Sequence, residues 1–294
     1  MVGCGGGGRS ANPPGIASVV PTTSKPSDTV ATKPSTTIGP TSTTAASVAS
    51  VFAGLSTYLA GRSGLVTAAV YDERSGNTWT LNPGAAAQDT ASIVKVEIMG
   101  AALQQAQAKH APLPASQASL MSPMIENSDN QSATTLLADV GGPSALAAFD
   151  RSAGMTDTTP STLAFIPGTT LPGWGLTTTT ARDEVKLMST FAFSNDVLDD
   201  ASRSYGLSLM ENVEADQNWG VSGGVPAGTV IALKNGWLPL NSVAESDWQV
   251  NSIGWISGSG RNYVLAVLTT GSPTEAYGIA TIDAIASSVF TKLG

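Results

Sequence analysis

The sequence predicts a mixed α/β (α+β) domain, in which a five-stranded antiparallel sheet is flanked by terminal helices and carries an inserted helical part. Three observations predict this class. Strand-like runs occur near both ends of the folded region, helix-like runs fill its middle, and an amphipathic pattern lies at each end. A chain of 294 residues, 41% of them hydrophobic, is also long enough to bury a sizeable core.

The first 46 residues are predicted to be a lipobox-like start followed by a disordered linker. MVGCGGGG resembles the end of a bacterial lipoprotein signal, but only three residues precede Cys4. Cys4 is therefore either a lipidation site in a chain whose start is cut or misassigned, or an ordinary free thiol. The Gly, Ser, Thr and Pro that follow have no apolar period and suit a tether. We expect an extracytoplasmic cell-envelope protein, anchored through Cys4 or secreted.

The folded domain is predicted over residues 47–294, with its sheet part in 47–82 and 229–294. Apolar residues recur at helical spacing over 45–60, which predicts a first helix. Residues 65–82 predict a hairpin, and three further strands are predicted over 229–237, 247–257 and 262–271. Residues 275–293 predict the closing helix.

The inserted helical part is predicted over residues 83–228. Its helix-like runs are 92–109, 131–141, 143–154 and 181–193. A cleft between this part and the sheet is the natural place for a small-molecule or peptide substrate.

Composition excludes several classes of function. Charged residues are only 12% of the chain, the net charge is −8, and no basic run occurs, so nucleic-acid binding is not indicated. One cysteine and one histidine cannot build a disulfide framework or a thiolate or histidine metal site, so no cofactor is expected. No apolar run reaches the roughly 18 residues that span a bilayer. Nothing indicates an oligomeric state.

Ser92 and Lys95 are the first candidates for catalysis. Residues three apart share one face of a helix, so Ser92 Oγ and Lys95 Nζ can come within hydrogen-bonding reach. Ser92 also lies where a helix is predicted to begin, and its unpaired N–H can bind an oxyanion. To act as a base near pH 7, Lys95 must have its pKa lowered by about 3 from about 10.4, which is roughly 4 kcal/mol.

The Ser92 and Lys95 pair alone is weak evidence for a catalytic site, because this composition gives roughly 0.8 Ser-x-x-Lys pairs by chance. Two further motifs strengthen the evidence. Ser128-Asp129-Asn130 is expected by chance only about 0.07 times, and Lys234-x-Gly236 ends a predicted strand.

These three motifs, in this order, resemble those of class A β-lactamases and penicillin-binding proteins, which carry S-x-x-K, S-D-N and K-T-G. The similarity extends through MSPMIENSDNQSATTLLADVGGPSALAAFDRSAGM and GLTTTTARDEVKLM, and covers the chain from about Val48 to its C-terminus. The resemblance implies the β-lactamase/transpeptidase-like fold and a serine hydrolase that forms an acyl-enzyme with a β-lactam or a D-alanyl, peptidoglycan stem peptide-like substrate.

The resemblance also implies roles for individual residues. Ser92 is the acylated nucleophile, and Lys95 is its base or proton relay. Ser128 passes a proton to the leaving nitrogen, and Lys234 keeps that proton mobile and attracts a substrate carboxylate. The substrate-binding set is predicted to be Asn130, Asn235, Gly236 and Trp237. The N–H groups of Ser92 and Trp237 are expected to form the oxyanion hole, and Asp129 to brace the turn.

Three departures from the family pattern bear on activity. The interval 158–182, where class A enzymes carry the glutamate that activates water for deacylation, contains no acid. Asn235 and Trp237 replace a Thr or Ser and a small residue. Ser92 and Ser128 are only 36 residues apart, which predicts a more open site on one side.

Slow deacylation is therefore expected, and two alternatives stay open. One is a silent relative that binds a cell-wall ligand or a partner protein; the other is an esterase or amidase on the same scaffold. Of the remaining residues, His110 is predicted to be a loop residue and Glu126 a structural partner. Trp174 either lines a pocket or fills the core.

Overall fold

A computed structural model describes residues 51–241 and 246–294. Cys4 and the linker predicted over residues 1–46 lie outside the described residues. The domain boundary predicted between residues 46 and 47 accordingly stays a prediction.

The centre of the fold is the predicted five-stranded antiparallel sheet. Its strands stand in the order β2-β1-β7-β6-β5, and every neighbouring pair is antiparallel. The strands are β1 (Leu65–Asp72), β2 (Asn77–Leu81), β5 (Val230–Asn241), β6 (Ser246–Gly258) and β7 (Arg261–Ser272). The ends of the domain thus supply the whole sheet, as the sequence predicts.

Helices cover both faces of this sheet. They are α1 (Ser56–Ala60), α2 (Val94–Ala108), α3 (Ala115–Glu126), α4 (Asn130–Val140), α5 (Pro143–Ser152), α6 (Ala181–Ala192), α7 (Asp200–Glu211) and α8 (Glu275–Lys292). Successive strand residues point to opposite faces. Val70 therefore packs in the core beneath α8, while Ala69 packs in the core shared with α2 and α6.

The fold differs from the sequence expectation in three places. The helix expected over 45–60 is interrupted within its described part, because Gly54 has a φ of +88° and the helix resumes only at Ser56. The helices α3 and α7 lie outside the predicted runs. A short pair, β3 (Gln88–Asp89) with β4 (Thr178–Thr179), was also not predicted, since two-residue strands have no readable period.

No helix in the two described ranges combines the length and the apolar character that crossing a membrane requires.

Candidate active site

Ser92 lies in a 3₁₀ turn, Ala91–Ile93, that leads directly into α2. Ala91, just before it, has a φ of +49°, a conformation that is uncommon for a residue with a side chain. The preceding segment is tied to the sheet, because Asn251 Nδ2 on β6 donates to the carbonyls of Asp89 and Thr90, each at 2.9 Å. Sequence reasoning missed Asn251, since no motif contains it.

Lys95 Nζ is surrounded by four oxygens at hydrogen-bonding distance. It lies 3.0 Å from Ser92 Oγ, 2.9 Å from Ser128 Oγ, 2.8 Å from Asn130 Oδ1 and 2.5 Å from the Ser128 carbonyl. An ammonium group has only three hydrogens to offer, whereas a neutral amine has a lone pair that can accept a hydroxyl proton. The arrangement therefore suits a lysine that alternates between the two forms.

The electrostatics of Lys95 favour its neutral form. Its side chain is fully buried, and this burial lowers its pKa to about 7, against a smaller opposing effect of the Asp129 charge. Within the described residues the ion pairs are Lys186 with Asp183 and Arg203 with Asp200, so no carboxylate is paired with Lys95. Near neutral pH a substantial fraction of Lys95 is consequently able to accept a proton.

Ser128 is held in position by the turn that starts α4. Its φ is +56°, and the Asp129 carboxylate that follows caps the helix by accepting the Ser132 N–H at 2.6 Å. This cap fixes the direction in which Asn130 Oδ1 reaches Lys95. Asp129 thus has the bracing position that the sequence predicts.

Lys234 reaches Ser128 from the opposite side, from β5. Its Nζ lies 3.0 Å from Ser128 Oγ and 2.9 Å from the Asn235 carbonyl. Burial lowers its pKa well below the usual value, and the neighbouring Lys95 lowers it further. Because two buried ammonium groups repel each other, the pair holds one positive charge more readily than two. Ser128 therefore sits between two amines that can exchange protons with it.

Gly236 brings β5 against the turn that carries Ser92. A methyl group on its Cα would lie 2.6 Å from the Ser92 nitrogen and 2.8 Å from the Thr90 carbonyl. Only a glycine permits this approach, because no real Cβ tolerates such distances. The backbone of Trp237 follows on the same strand, so the two segments predicted to supply the oxyanion-hole N–H groups lie side by side.

Asn235 differs from its predicted placement. Asn235 is predicted to belong to the substrate-binding set, but its side chain turns inward and is only 1% exposed. Asn235 Nδ2 donates to the Gln217 carbonyl at 2.7 Å and to the Trp219 carbonyl at 3.1 Å. These buried carbonyls need partners, and the asparagine amide supplies both hydrogens.

The acid-free loop places Trp174 over Lys95. The ring centroid lies 5.0 Å from Lys95 Nζ, and the indole Nε1 donates to Thr134 Oγ1 at 3.0 Å. Trp174 is only 7% exposed and belongs to the core, yet it also borders the nucleophile. Trp174 therefore both lines the pocket and fills the core, the two roles considered for it. Nothing in the sequence indicated its contact with Lys95.

The cavity at Ser92 is small, about 50 Å³. Trp174 and Trp237 both line it, and the Trp237 ring packs 5.9 Å from that of Trp219. Two indole rings therefore occupy space beside Ser92, and the opening predicted on one side from the short Ser92 to Ser128 spacing stays a prediction.

The remaining candidates have structural surroundings. His110 lies in the exposed turn after α2, as predicted. Glu126 accepts a hydrogen bond from Ser122 Oγ at 2.8 Å, which fits the predicted structural role. In the described part of the chain, no group of three or more His, Cys, Asp or Glu side chains is arranged to hold a metal ion.

Solved structures share this fold at low sequence identity. The TLA-1 extended spectrum β-lactamase matches with a TM-score of 0.73 and 20% identity, over 84% of this chain and 99% of that one. A class A β-lactamase from Bacteroides cellulosilyticus matches with 0.70 and 19%, over 84% and 98%. An ancestral class A β-lactamase matches with 0.67 and 24%, over 81% and 99%. A comparison with curated proteins found no match.

The comparison with protein families is decisive. The Beta-lactamase enzyme family matches residues 109–293, more than half of the chain. This stretch includes Ser128 and Lys234, while Ser92 and Lys95 precede it. The match confirms the resemblance and the fold class that the motifs predict. The chain therefore belongs to the β-lactamase enzyme family and is a serine hydrolase.

Proposed function

We propose that Ser92 forms an acyl-enzyme with a β-lactam or a D-alanyl peptide-like substrate, and that this acyl-enzyme is hydrolysed slowly. The observation that carries the proposal is the position of Lys95 Nζ, buried and within 3.0 Å of both Ser92 Oγ and Ser128 Oγ. One amine can therefore serve the hydroxyl that attacks and the hydroxyl that protonates the leaving group.

In the proposed reaction, protons pass from Ser92 through Lys95 and Ser128 to the leaving nitrogen. Neutral Lys95 takes the proton of Ser92 Oγ as this oxygen attacks the carbonyl carbon. The N–H groups of Ser92 and Trp237 stabilise the oxyanion. Ser128 Oγ then gives its proton to the leaving nitrogen while the C–N bond breaks, and Lys95 returns a proton to Ser128. Lys234, 3.0 Å from Ser128 Oγ, assists this last transfer.

Slow deacylation is supported by what surrounds the acyl-enzyme position. Hydrolysis needs a base that activates water, and the interval 158–182 contains no acid. Trp174 contributes an apolar ring next to Lys95 instead. Lys95 is the remaining candidate for the base of this step, and it is already engaged with three neighbouring residues.

The alternative of a silent binding protein receives no support from this geometry. Burying two lysine amines without a carboxylate partner is costly, because the charged form loses its hydration. A protein that used neither amine in a reaction would gain nothing from this cost.

Intact-protein mass spectrometry after incubation with a penicillin tests the proposal. We expect a lasting adduct on the wild type and on Ser116→Ala, an exposed control serine, and none on Ser92→Ala. An adduct that disappears as the drug is consumed would contradict slow deacylation. Failure of a penicillin, a D-alanyl peptide and an activated ester to modify the protein would contradict the acyl-enzyme itself.

We also propose that the domain acts outside the cytoplasm, attached through a lipidated Cys4. The lipobox-like residues before Cys4 and the polar linker over 5–46 support this. Labelling of the full chain with a fatty-acid analogue in a bacterial host is expected for the wild type and not for Cys4→Ser. Equal labelling of both would contradict the anchor.

A further inference from the structure

We infer that Ser92 reacts faster with acyl donors that are neutral and apolar beside the scissile bond than with matched donors that carry a free carboxylate there. This inference rests on the proposed acyl-enzyme and specifies its substrate class. Three features of the site carry it: the inward turn of Asn235, the enclosure of both lysines, and the apolar walls at Ser92.

Asn235 offers nothing to an anion. Both hydrogens of its amide are used by the carbonyls of Gln217 and Trp219. Releasing them would leave two buried carbonyls without partners, which is unfavourable because buried acceptors lose their hydration without a replacement bond. Its Oδ1 has no hydrogen-bond partner among the described residues, and an oxygen acceptor repels a carboxylate.

The two lysines are equally unavailable. Lys95 and Lys234 are both fully buried, and each amine is surrounded by oxygens of the protein itself. Lys95 Nζ already has four oxygens for its three hydrogens, so a carboxylate would reach it only by displacing one of them. Lys234 Nζ has two oxygen partners and no exposed surface, so a carboxylate would have to enter a buried site to reach its remaining hydrogen. Neither amine is therefore presented to a substrate anion at the cavity surface.

The cavity walls favour an uncharged group. Apolar side chains dominate the lining, among them Ile166, Leu171, Trp174, Trp237 and Leu238, and its polar side chains are Ser92 and Asn130. None of these lining side chains, all within the described part of the chain, is positively charged. Moving a carboxylate out of water into such surroundings is unfavourable unless a cation compensates for the lost hydration.

A matched pair of substrates tests the inference on the wild-type protein. A penicillin and its methyl ester share the ring and the side chain and differ only in the carboxylate. The second-order rate constant for acylation of Ser92 is measured by intact mass for each, and divided by the rate at which hydroxide opens the same compound. We expect the ester to be at least 10-fold faster after this correction.

The outcomes separate the two proposals. A faster free acid would overturn the inference and leave the acyl-enzyme intact. If the pair and p-nitrophenyl butyrate all fail to acylate Ser92, both proposals fall. Rapid modification by p-nitrophenyl butyrate, absent from Ser92→Ala, together with the ester preference would support both.

A substitution that introduces a positive charge near Ser92 tests the inference independently. Ile166 is half-buried at the cavity edge, so Ile166→Lys places an ammonium group near Ser92 without burying it completely. The free acid is expected to gain at least 10-fold relative to the ester in Ile166→Lys, while Ile166→Met keeps the wild-type ratio. An unchanged ratio in a folded Ile166→Lys would contradict the inference, and the wild-type pair decides if this variant does not fold.

Discussion

The indole ring of Trp174 lies 5.0 Å from Lys95 Nζ, on the side of the site formed by the acid-free loop. The loop is held tightly there, because a methyl group on Gly173 would lie 2.1 Å from the Leu163 carbonyl. The ring therefore keeps water from one side of the amine. Since burial is the main cause of the low Lys95 pKa, we expect Trp174 to contribute to lowering that pKa.

Replacing Trp174 by Ala is expected to raise the Lys95 pKa. Water that enters the vacated space stabilises the ammonium form better than the aromatic face did. Acylation needs the neutral amine, so the midpoint of its pH profile should move up from about 7. Moving the midpoint from 7 to 8 lowers the neutral fraction of Lys95 at pH 7 from one half to about one eleventh, so the rate falls about 5-fold, and each further pH unit lowers it about tenfold.

The control for this change is Trp174→Phe, which keeps a ring over Lys95 and loses only the bond to Thr134 Oγ1. Its midpoint is expected to stay near that of the wild type. Stopped-flow acylation from pH 5 to 9 measures all three proteins. Coincident midpoints for wild type and Trp174→Ala, both folded, would contradict the shielding role.

Asp129→Asn is expected to move the same profile in the opposite direction. The Asp129 charge raises the Lys95 pKa, so removing it lowers the pKa and the acylation midpoint. Asparagine is also a good N-cap, and it preserves the bond to the Ser132 N–H. Because Asp129 is partly exposed, the difference should disappear at about 1 M salt, where screening is strong. A midpoint that rises, or a difference that survives high salt, would contradict this electrostatic account.

Gly236→Ala is expected to abolish acylation. The added methyl group would meet the Ser92 nitrogen at 2.6 Å and the Ile93 nitrogen at 2.9 Å, both backbone atoms that cannot move independently. β5 must therefore retreat from the turn that carries the nucleophile, and the oxyanion-hole geometry is lost. We expect a loss of at least about 100-fold in the acylation rate.

The matched control is Gly84→Ala, at an exposed position where an added methyl group meets nothing within 4 Å. Gly84→Ala should acylate at the wild-type rate. Circular dichroism establishes that Gly236→Ala is folded before rates are compared. A folded Gly236→Ala that acylates normally would show that the close approach of β5 is not needed.

Much of the site could be predicted from the sequence, because helical spacing and short motifs encode local geometry. The Ser92 to Lys95 contact follows from one helical turn. The inward turn of Asn235 could not be predicted, because its acceptors, the carbonyls of Gln217 and Trp219, are chosen by the path of a distant segment. The same applies to Asn251 and Trp174, whose partners lie far away in sequence.

In the fold, too, local patterns could be predicted from the sequence and features set by tertiary contacts could not. Strand alternation and the apolar runs at the chain ends predicted the five-stranded sheet. The break at Gly54 was hidden, because apolar residues on both sides of the glycine maintain helical spacing. The two-residue β3 and β4 are created by tertiary contact alone.

Three carboxyl groups that take no part in the proposed reaction are buried together. Glu97 on α2, Asp150 on α5 and Glu184 on α6 are almost completely buried, and none of their carboxyl oxygens has a hydrogen-bond partner among the described residues. The neighbouring Asp183 is paired with Lys186, and Arg151 adds a weak opposing charge near Asp150. Burial, followed by repulsion among these acids, raises the pKa of Glu97.

Burial likewise raises the pKa of Asp150 to about 7 and that of Glu184 to about 8. Glu97 and Asp150 influence each other directly, so a proton on either one supplies the hydrogen that their oxygens lack. The folded protein therefore holds protons that the unfolded chain releases above pH about 4.5. This difference determines how stability depends on pH.

The three carboxyl groups are expected to make the free energy of unfolding fall as pH rises from about 4.5 to about 8, by up to about 1.4 kcal/mol per pH unit for each proton that only the folded state retains. Lys95 and Lys234 act in the opposite direction where they have lost protons that the unfolded chain keeps, so the contribution of the carboxyl groups is read from the difference between variants. Glu184→Gln removes one carboxyl group that keeps its proton only in the folded state. The substitution should therefore make the free energy of unfolding depend less steeply on pH, and stabilise the protein at pH 8 more than at pH 5. Urea unfolding at several pH values measures this, with Glu211→Gln, at an exposed position on α7, as the control that keeps the wild-type slope. If Glu184→Gln and Glu211→Gln give the same slope, Glu184 is ionised in the folded protein. Its charge must then be compensated by a group other than Lys186 and Arg151.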